Sequence, residues 1–145
     1  MKSEKEFEFL EHTADAYIAA YGRSLEGAFE IAALAMFEVM TDVKRVNPKL
    51  EDYVEVEAGD KYALLYDWLE ALLVKSDING LLYSKFRILN ITETTHTFRL
   101  RAKVWGEKFD RKRHLQKVGV KAVTYHRMEI IEEPNKVTLR FILDI

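Results

Sequence analysis

The chain has 145 residues, 48% of them hydrophobic and 32% charged, so it is long and apolar enough for one domain with a core, which excludes a disordered chain. Its formal net charge is −2, too balanced for a protein whose main business is non-specific binding to nucleic acid. It contains no cysteine, which excludes a disulfide scaffold, a thiolate zinc site and a cysteine nucleophile.

Residues 7–9 and 16–21 read as strand pieces around the polar segment Glu11, His12, Thr13, Ala14 and Asp15. Ser24 is a good helix N-cap, because its hydroxyl can accept an orphan helix N–H. Leu25, Ala28, Phe29, Ala32, Met36 and Val39 then recur at spacings of three and four, which predicts an amphipathic helix to about Met40. Asn47-Pro48 marks a loop. Residues 53–57 alternate like a half-buried strand that Gly59 ends. Asp60 caps a second helix with Leu64, Leu65, Trp68, Leu69, Leu72 and Leu73 as its apolar stripe, and Lys61, Asp67, Glu70 and Lys75 toward water. Asn79-Gly80 is a turn signal.

From Phe86 onward the period changes to two. Phe98, Leu100, Ala102 and Val104 alternate with cations. A charged segment follows at 107–117, then a further strand from Lys121 to about Ile131. Val137, Leu139, Phe141 and Leu143 alternate with Thr138, Arg140, Ile142 and Asp144. The expected fold is α+β, a single domain over residues 1–145 with two amphipathic helices on largely antiparallel strands. No apolar run nears the roughly 20 residues of a bilayer-crossing helix, and no signal peptide is seen, so a cytoplasmic protein without membrane contact is expected. Residues 1–60 carry 14 acidic and 6 basic side chains, while 61–145 carry 10 acidic and 16 basic, a hint of a two-signed surface.

Among residues with chemistry, Asp15 closes the segment between the first two strand pieces, and Asp144 precedes Ile145, which carries the α-carboxylate. Hard cations want clustered oxygens, so these three carboxylates form a metal site if the first strands pair with the last. Spacing alone leaves open a blander pair of roles: Asp144 as a solvated strand-end charge and Asp15 as an Asx-turn residue. His12 reads as a hydrogen-bonded turn residue or as a ligand or base. His96 sits on a Thr-rich strand, and His114, in the basic segment, is expected in solvent. Arg111, Lys112, Arg113, Lys117 and Lys121 have no acid among them, and suit phosphates, an acidic partner or plain solvation. Lys121, opening a strand with Tyr125 and His126, is expected to offer a positive tip to an anion. Trp105 is a docking candidate outside the core.

The blocks that carry a family resemblance run along the whole chain. They include Phe9 through Asp15 with Gly22 after it, Ser24 through Phe29, and Leu64 through Leu69. Later come Trp105-Gly106-Glu107, Val120 through His126, and Phe141 through Ile145. In this order and at this length the sequence resembles archease, a family tied to tRNA splicing. The resemblance implies a non-enzymatic activator of the RtcB-type tRNA-splicing ligase, one that promotes its GTP-dependent guanylylation and multiple turnover and widens the nucleotides it accepts. tRNA would be met only through the ligase. The resemblance also implies a divalent-metal site, calcium first with magnesium or manganese as alternatives, on Asp15, Asp144 and Ile145. His12, Lys121 and His126 become further functional or partner-contact candidates.

Two competing functions remain at this level: a metal-dependent hydrolase or transferase acting alone, and an RNA-binding or chaperone-like module using Arg111 to Lys121.

Overall fold

The computed structural model describes residues 6–10 and 15–145, so His12 lies outside the described residues. In chain order the elements are β1 (Phe7–Leu10), β2 (Ala16–Gly22), α1 (Leu25–Met40), a 3-10 turn (Val43–Arg45), β3 (Leu50–Ala58) and α2 (Lys61–Asn79). There follow β4 (Leu81–Glu93), β5 (Phe98–Lys108), β6 (Ala122–Val123), β7 (Glu129–Glu133) and β8 (Lys136–Asp144).

Local chemistry places both helices. Ser24 Oγ accepts the Gly27 N–H at 3.0 Å, and Asp60 Oδ1 accepts the Ala63 N–H at 2.8 Å, so each N-terminus is capped as the sequence predicts. Gly80 ends α2 with φ 64, a left-handed turn that costs glycine nothing. The indole N–H of Trp68 donates to the Phe29 carbonyl at 3.0 Å and ties the helices together.

The strands form two antiparallel sheets. One runs β1-β2-β8-β6, with β7 also on β8; the other runs β3-β5-β4. Both helices touch strands of both sheets, and the core, with Phe29, Phe37, Trp68, Tyr83 and Phe141 fully buried, draws on all these elements. The expected α+β, single-domain architecture is therefore what the chain adopts.

Three expectations need correction. The sequence predicts one strand from Lys121 to about Ile131, and the structure splits it. β6 ends at Val123, and a turn follows in which the Met128 N–H donates to the Tyr125 carbonyl at 3.1 Å and Arg127 takes φ 56. Both pieces pair with β8, β6 at Leu143–Asp144 and β7 along 136–140. An apolar alternation cannot reveal such a break, because it continues in both pieces.

The alternation of β8 predicts one wet face, yet Ile142 is 1% exposed and Thr138 is also buried. β8 has neighbours on both sides, and long side chains lie over its outer face. Arg127 stands over the Tyr17 ring at 5.3 Å, Lys136 stands over Tyr21 at 5.4 Å, and Arg140 reaches Glu129 at 3.4 Å. Finally, His96 lies between β4 and β5 rather than on a strand.

The charge asymmetry of the sequence is partly cancelled in space. Glu57, Glu55 and Glu51 of β3 face Arg99, Arg101 and Lys103 of β5 in a ladder of exposed ion pairs at 2.9–3.8 Å. Such exposed pairs each contribute only ~0–1 kcal/mol. Trp105, the docking candidate, is half-buried at the end of this ladder, under Lys85 Nζ at 4.7 Å and donating to Glu51 at 3.2 Å.

Candidate functional site

The end of β8 organises the site. β2 and β8 pair from Gly22↔Val137 down to Ala16↔Leu143, the residues next in the chain to Asp15 and Asp144. On the other side of β8, Ala122 pairs with Asp144, and the Lys121 N–H donates to the Asp144 carbonyl at 2.7 Å. Asp144 is therefore flanked by the Lys121-Ala122 backbone on one side, while Asp15 adjoins the last residue pair of β2 and β8 on the other. The Ile145 side chain, next to Asp144, packs against the core. The topology thus brings the ends of β2, β6 and β8 together.

This donor set is all oxygen. Two side-chain carboxylates at neighbouring strand ends and a terminal carboxylate suit a hard cation such as Ca²⁺. Among the described residues no group of three or more histidine, aspartate or glutamate side chains is gathered so that it could hold a metal ion. A site built on Asp15, Asp144 and Ile145 would be sparse, leaving positions for water or for oxygens of a partner.

At the strand-end tip Lys121 is exposed just before β6. His126 is exposed, but in the turn after β6 rather than on a strand. The Tyr125 ring stacks on Tyr66 of α2 with centroids 4.4 Å apart and planes 7° from parallel. Burial raises the Tyr125 hydroxyl, and the carboxylates of Asp67, Asp60 and Glu70 raise it further, so the α2 side of the tip is acidic. Burial also raises the Asp67 carboxyl. The cation the sequence reading did not single out is Arg127. It lies over Tyr17, the residue that pairs with Ile142 next to Asp144. Its signal, a left-handed arginine in a turn, exists only in the fold.

The charged segment at 107–117 is corrected most. Glu107 belongs to β5 and is buried, and His114, expected in solvent, is 3% exposed. Glu107 accepts the Asn47 N–H at 2.7 Å, Arg113 Nη2–H at 2.7 Å and His114 Nε2 at 2.8 Å. Burial opposes its charge, but these three donors win and hold the carboxyl down at about 2. The reason the sequence reading fails here is that a basic run looks solvated unless its buried counter-charge is known.

The chain matches the model of the archease protein family (MTH1598/TM1083) over residues 7–145. It is 50% identical over 141 residues to the protein archease of Sulfurisphaera tokodaii, covering 97% of this chain and 99% of that one. It is 47% identical over 140 residues to that of Sulfolobus acidocaldarius, covering 96% and 98%. Among solved structures, it resembles Methanobacterium thermoautotrophicum protein 1598 with a TM-score of 0.85 and 45% identity, covering 97% of this chain and 99% of that one. A Thermotoga maritima protein described as an archease, possible chaperone, shares the fold at a TM-score of 0.59 and 16% identity, covering 100% and 98%. On sequence and fold together, the chain belongs to the archease family.

Proposed function

We propose that this protein activates an RtcB-type tRNA-splicing RNA ligase, promoting its guanylylation by GTP and hence its repeated turnover, and widening the nucleotides it accepts. Family membership supports the reading. The single structural observation that supports it is the pairing of Ala16 with Leu143, the residues next to Asp15 and Asp144.

Guanylylation moves a nucleotidyl group from a polyanionic triphosphate, so positioned positive charge is what such a step needs. A divalent ion held by Asp15, Asp144 and the Ile145 carboxylate would supply Lewis acidity toward phosphate oxygens. The residues of this chain would act by position: the carboxylates would hold the ion, and Ile145 has its side chain packed against the core. Lys121 joins the site through its backbone bond to Asp144, and His126 stands in the turn after β6. In this reading the protein is a cofactor of the ligase and not itself an enzyme. Its working compartment is the cytoplasm, and it meets tRNA only through the ligase. Among the described residues no helix is long and apolar enough to cross a membrane.

The test is multiple-turnover joining of RNA ends by an RtcB-type ligase with and without this protein. Faster turnover in its presence supports the proposal. Equal turnover overturns it, and joining or hydrolysis by this protein with RNA, GTP and Mg²⁺ but no ligase would favour a stand-alone enzyme.

A further inference from the structure

The loop between β5 and β6 is held more firmly than a connector requires. At its base, Glu107 binds Arg113, His114 and the Asn47 N–H. At its far side, Lys117 and Val118 donate their N–H groups to the carbonyls of Met40 (3.0 Å) and Val39 (3.3 Å), which α1 leaves open at its end. Lys117 Nζ also reaches the Glu38 carboxylate at 2.6 Å.

On this frame three large apolar side chains stand out in water: Phe109 at 39%, Leu115 at 51% and Val118 at 44% exposure. Among the described residues, the side-chain cations of Arg111 and Lys112 make no ion pair, and the one acid of the loop, Asp110, is engaged by Arg113 at 3.6 Å. Apolar groups fixed in water gain nothing for the fold, whereas a surface that covers them gains their burial. Free cations beside them complement an acidic surface. A nucleic-acid platform would use several stacking rings, and here the one aromatic ring, Phe109, leans on His114 at 6.0 Å while Leu115 and Val118 are aliphatic.

We propose that residues 109–119 form a docking loop for an acidic, apolar protein surface, and that this surface belongs to the RNA ligase; the second clause rests on the function proposed above. The placement fits. Lys117 is bonded to the end of α1, and Lys121 to Asp144. Four residues span at most about 14 Å, so the Lys117 end of the loop lies within that distance of Lys121, which bonds Asp144.

The experiment measures binding to immobilised RtcB-type ligase, and the ligase's activation, for the wild type, for Leu115→Asp and for the double variant Arg111→Glu with Lys112→Glu. All three substituted positions are exposed, so the variants are expected to keep the wild-type circular dichroism and melting temperature. Leu115→Asp is expected to weaken ligase binding at least tenfold through faster dissociation. The charge reversal is expected to slow association at low salt, with the deficit closing as salt rises. If the wild type binds and activates and both variants match it, the docking proposal is overturned while the ligase reading stands. If the wild type neither binds nor activates, the ligase reading fails and takes the docking proposal with it. Submicromolar binding of labelled tRNA that is lost on charge reversal, with ligase binding intact, would make the loop an RNA contact and overturn the proposal.

Discussion

Glu107 fixes the tautomer of His114. The ring Nδ1 accepts the Asp110 N–H at 2.9 Å, so the proton sits on Nε2, which donates to Glu107 Oε2 at 2.8 Å. The buried imidazole is thus a neutral donor, and the charge of Glu107 is balanced by Arg113 at 2.7 Å.

The first prediction is an acid dependence. The Glu107 carboxyl sits at about 2 in the fold against an ordinary 4.5. A depressed carboxyl stabilises the fold fully above the ordinary value, and this contribution is lost as pH falls through the folded one. The difference of the two values corresponds to about 3 kcal/mol. Glu107→Gln should therefore cost on the order of 3 kcal/mol at pH 7, the contribution that the depressed carboxylate makes. Denaturant unfolding at a series of pH values checks this. The gap between wild type and variant should narrow from pH 4.5 down to 2, and a constant gap would contradict the assignment.

A second prediction concerns calcium. A sparse oxygen site should bind with a Kd of roughly 10⁻⁵ to 10⁻³ M. Asp15→Asn and Asp144→Asn should each weaken binding tenfold or more in calorimetry. Residues appended after Ile145 should weaken it as well, with the melting temperature in metal-free buffer unchanged. Equal affinity for tagged and untagged chains would remove the Ile145 carboxylate from the ligand set.

Gly106 carries a third. A Cβ there would strike the Leu82 carbonyl oxygen and crowd Tyr83 Cα, which are backbone atoms and cannot rotate aside. Gly106→Ala should cost about 3 kcal/mol or more. Gly59→Ala, whose added Cβ meets nothing within 4 Å, is the control and should stay within about 0.5 kcal/mol. Comparable melting temperatures for the two variants would contradict the packing described.

Much of the fold was legible because it is written locally. Ser24 and Asp60 cap helices whose apolar spacing is plain, and Gly80 stops the second one. What was hidden depends on residues far apart in the chain. The burial of His114 needs Glu107 and a backbone group at Asn47. The dry outer face of β8 needs Arg127 and Lys136 laid over Tyr17 and Tyr21. The break between β6 and β7 needs Arg127 in a left-handed conformation, which residue type alone does not announce. The candidate carboxylates were legible as types, but the pairing of Ala16 with Leu143, the residues next to Asp15 and Asp144, is a matter of register that no spacing along the chain contains.

The central claim is that the carboxylates at the ends of β2 and β8 act on the ligase. Its most direct measurement is the rate at which labelled GMP from GTP becomes attached to an RtcB-type ligase, with wild-type protein, Asp15→Asn or Asp144→Asn added at equal concentration. The wild type should raise the rate, and each variant should lose at least tenfold of that enhancement, about 1.4 kcal/mol, while remaining folded. Undiminished enhancement by both variants would contradict the claim.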